Sequence, residues 1–308
     1  MSGPLTFLPN DELLLTDHLV LQGQPWLSYP LQYYNDPNVV RDAGSGNQSR
    51  NGHYWNLEAR TRLQQYAHMK DNDINAAVIN QQTALQQLER AFFYGLALAL
   101  LIATAIISTD LVTRDRKKTS ILRNLPLTAW GMINYKSLSA LLMSGGLVLG
   151  FLVILLPCNM LRFGIGSLTL PILVYQSISF TTISLGRFML EAFVLLLLCM
   201  WLIIRLQIVL QLVLKSEFAS LAMTSLLLVS ETFYFVPGLV SINNWSLYLL
   251  PSYFNIGQLV VGFQNFRYET TKMTFMLGMM LFMSILIVVE VVIYCLTHKR
   301  HTRKARLS

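Results

Sequence analysis

The sequence predicts an all-α, polytopic membrane helix bundle with an extracytoplasmic N-terminal helical domain. Of the 308 residues, 54% are hydrophobic and only 13% are charged, and the apolar residues cluster in windows long enough to cross a membrane. The net charge of +7 does not indicate nucleic-acid binding, because the basic residues flank apolar windows instead of forming one soluble basic face. Two regions are predicted, 1–90 and a transmembrane domain over 91–308.

Residues 1–90 differ from the rest of the chain in charge and in pattern. They hold nine acids and six bases, whereas the remaining residues hold seven acids and seventeen bases. Prolines and a Gly/Asn/Ser patch at 43–52 predict loops up to residue 55. From Leu57 the pattern becomes helical, and a three-four apolar spacing after Asp73 predicts a helix that runs unbroken into the first membrane span.

Five apolar windows of the transmembrane domain predict membrane spans. They lie at about 92–112, 137–157, 188–213, 218–237 and 273–296. Pro157 is expected to end the second span, and Pro237 with Gly238 the fourth. Segment 168–186 is uncharged and competes as a sixth span, but Pro171, Gln176 and many Ser/Thr residues favour an external interfacial or re-entrant stretch.

The distribution of basic residues predicts the orientation of these spans. With a cytoplasmic C-terminus, the cytosolic segments carry thirteen of the seventeen bases that follow residue 90, as the positive-inside rule requires. The chain is then a multi-pass protein of the cell membrane with residues 1–90 outside. Since no span precedes this external region, we expect a further upstream span, in a longer reading frame or on a second chain, or a first span that acts as a reverse signal anchor.

The segment after the first span combines a charge cluster with a short amphipathic stretch. Charges fill 114–118, the apolar residues Ile121, Leu122 and Leu125 follow, and Pro126 interrupts the stretch. Such a segment can lie along the cytosolic surface and receive force from a soluble partner. The alternative is an ordinary basic loop that obeys the positive-inside rule.

This segment resembles the first cytosolic loop of ABC type-2 permeases. In that family a Glu-Arg-Lys-x-Gly-Thr run precedes Leu-x-x-Leu-Pro and a Lys that opens the next helix. The matching residues are Arg116, Lys117, Thr119, Leu122, Leu125, Pro126 and Lys136, while Asp115 replaces the usual Glu and Lys118 the usual Gly. A second segment before the last span, Leu250-Pro251-Ser252-Tyr253-Phe254, is similar to a Leu-Pro-aromatic segment of the same family.

The resemblance implies the membrane-spanning permease subunit of an ATP-driven exporter. Partner ABC ATPase subunits would bind and hydrolyse ATP, so the chain itself would hold no cofactor, and a second permease half would complete a homo- or heterodimer. The sequence has no GxxxxGK[ST] phosphate loop, as expected for a non-enzymatic membrane subunit. The resemblance assigns ATPase coupling to Arg114, Asp115, Arg116, Lys117, Lys118, Thr119, Ile121, Leu122, Leu125, Pro126 and Lys136.

Another class of function stays open on the sequence alone. A membrane-anchored receptor or immunity protein could bind its ligand through residues 1–90 without transporting it. A partner ATPase separates the two hypotheses, because only the permease requires one.

Ionisable residues within the predicted spans include Glu191, Arg205, Glu231 and Glu290. They are functional candidates, because an unpaired charge in hydrocarbon costs several kcal/mol. The alternative for each is pairing inside the bundle or snorkelling to the headgroups. No catalytic residues are predicted, since no HExxH or GxSxG motif is present. No metal site is predicted either, because the three cysteines lie far apart without CxxC or Cys/His spacing.

Overall fold

The structure is a computed structural model that describes part of the chain in detail. It describes residues 58–59, 61–62, 64–66, 69, 76–109, 111, 129–176, 179–234, 247–268 and 270–305. Most of the predicted extracytoplasmic domain and the segment 112–128 lie outside these residues. The chain divides into two compact units, Met1–Leu88 with Leu156–Phe188, and Glu89–Leu155 with Met189–Ser308.

The described residues are mostly helical. The helices are α1 Ala76–Ile79, α2 Ala84–Phe93, α3 Leu96–Ser108, α4 Ala129–Phe163, α5 Leu185–Leu214, α6 Glu217–Val229, α7 Glu231–Tyr234, α8 Ile256–Val260, α9 Phe263–Arg267 and α10 Phe275–Ala305. A 3₁₀ turn, Leu250–Tyr253, precedes α8. The two described strands, β1 Pro171–Gln176 and β2 Ser179–Ser184, form one antiparallel pair.

Three described helices are long and apolar enough to cross a membrane. They are α4, α5 and α10, over Trp130–Phe163, Leu185–Leu214 and Phe275–His298. The bent pair Ala77–Phe93 and Leu96–Ser108 makes a fourth crossing if the pair is one span. Helix α6 is apolar but has only 13 residues, about 20 Å, which is shorter than a hydrocarbon core of about 30 Å. The chain is therefore a membrane-associated protein, whereas its five spans and their orientation stay predictions.

The prediction of one unbroken helix from Asp73 into the first span is wrong. Helix α1 ends at Ile79, Gln81 takes the left-handed conformation with φ 55°, and α2 begins at Ala84. Side-chain amides satisfy carbonyls at this break: Gln86 Nε2 donates to Val78 O over 3.0 Å, and Gln87 Nε2 donates to Gln81 O over 2.8 Å. These side-chain bonds take the place of main-chain helical bonds. The apolar spacing therefore continues along the sequence, although the helix is interrupted.

The chain bends a second time, by 66°, between α2 and α3. Gly95 sits at the bend with φ 107°, a conformation that glycine adopts at little cost. Helix α8 covers the neighbouring main chain, since Gln258 Nε2 donates to Phe93 O over 3.2 Å. Gly257 approaches so closely that a Cβ would lie 2.4 Å from the carbonyl carbon of Phe92. The packing of α8 against this bend therefore requires a residue without a side chain at position 257.

Two predicted helix ends differ from the structure. Helix α4 does not end at Pro157 but continues to Phe163, because a proline removes a single hydrogen bond and such a loss is tolerated inside membrane helices. The fourth predicted window, 218–237, is interrupted earlier than expected. Helix α6 ends at Val229, and Ser230 N donates to Leu227 O over 3.3 Å in a tight turn before α7.

Segment 168–186 contains the antiparallel strands β1 and β2 and is not a sixth helical span. Pro171 lies opposite Ser184, and Gln176 opposite Ser179. Gly186 N donates to Leu168 O over 2.8 Å at the base of this strand pair. Two strands leave outer edges that hydrocarbon cannot satisfy, so this segment does not cross the membrane by itself. Its external position stays a prediction.

Helix α5 contributes most of the buried surface among the candidate spans. It is more deeply buried than α4 or α10, and its buried residues include Leu195, Leu196 and Ile203. The outer faces of the other two are apolar and exposed, for example Leu142 on α4 and Val288 on α10, as expected for surfaces that meet lipid.

Candidate functional site

Arg205 joins three candidate membrane helices at one point. Its side chain is only 4% exposed, and its Nε lies 2.8 Å from Glu290 Oε1 on α10. Its Nη2 donates to Asn134 Oδ1 on α4 over 2.7 Å. The guanidinium carbon lies 4.4 Å from the centre of the Trp201 ring, one turn earlier on α5. An ion pair, a hydrogen bond and a cation–π contact thus compensate a charge that hydrocarbon would reject.

The Arg205 cluster is suited to holding helices and not to covalent chemistry. It contains a cation, one carboxylate and an amide, with no nucleophile beside a general base. The buried Nη1 of Arg205 has no hydrogen-bond partner among the described residues. No group of three His, Cys, Asp or Glu side chains that could hold a metal ion occurs in the described part of the chain.

A second buried polar contact lies at the end of α3, where Gln211 of α5 reaches main-chain carbonyls. Its Nε2 donates to Ser108 O over 2.9 Å and to Thr109 O over 2.6 Å. Carbonyls at a helix C-terminus have no donor within their own helix. Gln211 therefore supplies from α5 the hydrogen bonds that α3 cannot make.

Gln207 lies one turn before Gln211 on α5 and extends this contact to α6. Its Nε2 donates to Ser220 Oγ over 3.3 Å and to Thr109 Oγ1 over 3.5 Å. Its Oε1 accepts a hydrogen bond from the Thr224 hydroxyl. Both glutamines are fully buried, so one face of α5 binds α3 and α6 through polar groups that are shielded from solvent.

Lys136 is the one predicted coupling residue that falls within the described part of the chain. Its Nζ donates to Leu111 O over 3.0 Å. Leu111 follows the end of α3, and Lys136 lies about two turns into α4, so this bond links the helices on either side of segment 112–128. The other predicted coupling residues lie outside the described residues: Arg114, Asp115, Arg116, Lys117, Lys118, Thr119, Ile121, Leu122, Leu125 and Pro126.

Glu231 follows α6 and lies outside the three candidate spans, with its side chain 6% exposed. Asn255 Nδ2 donates to its Oε2 over 2.7 Å. Arg267, Tyr268 and Gln264 donate to its Oε1 over 3.0, 3.1 and 3.3 Å. Burial raises the pKa of Glu231, and the Arg267 charge with these hydrogen bonds opposes that rise. The carboxylate thus fixes residues 255–268 to the end of α6.

We expect the change Glu231→Gln to destabilise this attachment. A glutamine would turn an amide N–H₂ toward one of the donors and weaken the partner of Arg267, at a cost of about 1–3 kcal/mol in the free energy of unfolding. Glu217→Gln is the matched control, because Glu217 lies at the first turn of α6 and the change there should cost less than about 1 kcal/mol. Thermal unfolding in detergent measures both variants, and equal losses would contradict the assigned role of Glu231.

The Leu-Pro-aromatic segment forms the 3₁₀ turn before α8. Its Tyr253 hydroxyl donates to Leu247 O over 2.7 Å. Burial, with a smaller contribution from Tyr248, raises the pKa of Tyr253 to about 12. Phe254 stacks on Phe282 of α10 with ring centres 6.3 Å apart. The segment therefore packs against the last candidate span as an ordered element.

The four intramembrane candidates lie at three different places in the structure. Arg205 and Glu290 form one cluster, and Glu231 belongs to another. Glu191 is buried on α5, about 21 Å along the helix axis from Arg205, so it takes no part in that cluster. Sequence reasoning missed Gln207 and Gln211, although two amides four residues apart in an apolar stretch are a readable signal.

Comparisons of the chain with family models, with curated proteins and with solved structures found no match.

Proposed function

We propose that this chain is the membrane-spanning permease subunit of an ATP-driven exporter of the ABC type-2 kind. A partner ABC ATPase would supply the energy of ATP hydrolysis, and a second permease half would complete the transporter. The observation that carries the proposal is the hydrogen bond from Lys136 Nζ to Leu111 O. It connects the chain after α3 to α4, the helices that precede and follow segment 112–128. A partner that pushes on this segment therefore acts on both helices.

The residues of segment 112–128 have the chemistry that docking to an ATPase requires. Burying Ile121, Leu122 and Leu125 in a groove of the partner contributes about 1.5–3 kcal/mol each before ordering costs. The charges at 114–118 fix the register of the complex more than its affinity. ATP-driven closure of the partners then tilts the spans and exposes the transport path to alternate sides of the membrane.

We expect Leu122→Glu to abolish co-purification of the ABC ATPase and the stimulation of its ATP hydrolysis. The new carboxylate would be buried without a partner in the docking groove. Membrane insertion should stay intact, because position 122 lies between the apolar windows predicted from the sequence. The chain is co-expressed with the ABC ATPase encoded nearest to it, and Leu122→Met, which preserves an apolar side chain, serves as the control.

The experiment also separates the permease from the receptor. If both Leu122→Glu and Leu125→Glu keep wild-type ATPase association and transport, segment 112–128 is only a basic connection between α3 and α4. If the unchanged chain binds no ABC ATPase but binds a ligand through residues 1–90, the receptor interpretation replaces the permease.

A further inference from the structure

Three carbonyls at and just after the end of α3 are bound by side chains of other helices. Ser108 O and Thr109 O accept from Gln211 of α5, and Leu111 O accepts from Lys136 of α4. The amide N–H₂ of Gln211 has two hydrogens, which is one for each of these two carbonyls. The main chain that leads into segment 112–128 is thereby attached to two further helices.

The attachment to α5 is stiff because it is buried and short. Gln211 is fully buried, and a hydrogen bond shielded from water is stronger than an exposed one. Gln207 binds α6 from the same face of α5, one turn away. A displacement of the end of α3 therefore has a continuous polar route through Gln211 into α5 and, through Gln207, into α6.

We infer that Gln211 is a positioning residue that transmits movement from the end of α3 to α5 and α6 when the partner ATPase binds ATP. This inference rests on the proposed function and adds a residue that the sequence resemblance did not assign. A purely structural cap of α3 is the competing interpretation. The two differ in outcome, because a cap affects stability, whereas a transmitting contact also affects the response of the spans to ATP.

Gln211→Glu tests the inference with almost no change of shape. A carboxylate cannot donate hydrogen bonds and faces two carbonyl oxygens. We expect the variant to bind the ABC ATPase as the unchanged chain does, since segment 112–128 is untouched. We expect stimulated ATP hydrolysis to fall tenfold or more, roughly the scale in a rate of the two hydrogen bonds that Gln211 donates.

The movement itself is measured by spin labels at Met223→Cys on α6 and Met283→Cys on α10, in a chain whose native cysteines are changed to alanine. Both positions are about half exposed. ATP with vanadate should change the distance between these labels in the otherwise unchanged chain. The same addition should leave the distance unchanged in Gln211→Glu.

Two controls separate transmission from stability. Gln258→Glu removes the same kind of amide-to-carbonyl bond at Phe93, and it should lower the unfolding temperature while the labels still respond to ATP. Gln211→Lys restores donors at the negative end of α3 and should recover most of the response. If Gln211→Glu does not fold, Gln211→Lys is compared with Gln211→Met, which has no donor.

A wild-type response to ATP in Gln211→Glu, or equal responses in Gln211→Lys and Gln211→Met, would overturn the inference and leave the permease function standing. Failure of the unchanged chain to bind an ABC ATPase would remove the proposed function and the inference with it.

Discussion

Gly257→Ala is expected to leave little correctly folded protein in the membrane. A Cβ at this position would lie 2.4 Å from the carbonyl carbon of Phe92 and 2.5 Å from both Phe92 O and Phe93 N. Overpacking usually costs about 1–3 kcal/mol. All three obstructing atoms belong to the main chain and cannot rotate away, so we expect a loss of about 3 kcal/mol or more in the free energy of unfolding.

A matched control for Gly257→Ala is available within α4. A Cβ added at Gly145 or Gly150 meets no heavy atom within 4 Å, and alanine is favoured over glycine inside a helix by about 0.5–1 kcal/mol. Gly150→Ala should therefore leave stability unchanged or raise it. Fluorescence-detected size-exclusion chromatography and thermal unfolding in detergent compare the variants. Equal behaviour of Gly257→Ala and Gly150→Ala would show that α8 does not pack against Phe92 as described.

Arg205→Met is the second change with a large expected effect. It leaves the Glu290 carboxylate, which is 31% exposed, without its cation between α5 and α10. Breaking a fully buried ion pair costs about 3–5 kcal/mol, which sets the upper limit for this partly exposed pair. Asn134 also loses its bond to Arg205 Nη2, which adds to the loss. The unfolding temperature in detergent should fall accordingly.

The double variant Arg205→Met with Glu290→Met distinguishes charge imbalance from lost packing. Replacing both members of a buried ion pair by apolar side chains is often neutral, so most of the lost stability should return. The single change Glu290→Met completes the cycle. Additive losses in the double variant would contradict a direct Arg205–Glu290 interaction, since independent sites add and coupled sites do not.

Long apolar windows predicted the membrane helices well, because hydropathy over about 20 residues depends little on local detail. Helices α5 and α10 begin and end close to the predicted windows 188–213 and 273–296, apart from the C-terminal extension of α10 to Ala305. Periodicity was less informative where side chains replace helical hydrogen bonds. The break at Gln81 depends on such local compensation, which an apolar pattern does not reveal. The continuation through Pro157 depends instead on the tolerance of one lost hydrogen bond inside a membrane helix.

The candidate site, too, was predictable from the sequence only in part. Arg205 and Glu290 were identifiable individually, since a charge in an apolar window is costly wherever it lies. Their pairing with each other and with Asn134 depends on the packing of α4, α5 and α10, and sequence spacing carries no information on it. The bonds from Gln211 and Lys136 end on main-chain carbonyls, which every residue has, so nothing in the sequence at 108–111 indicates them.

The length of α4 has a consequence for the lipid around the protein. Its 35 residues extend over about 52 Å, against about 30 Å of hydrocarbon in a typical bilayer. Even at a tilt of about 40°, the upper end of the usual range, about 13 Å of the helix would remain outside the hydrocarbon. This part of α4 lies at the level of the lipid headgroups or beyond them, so the headgroups next to α4 contact helix and not a loop.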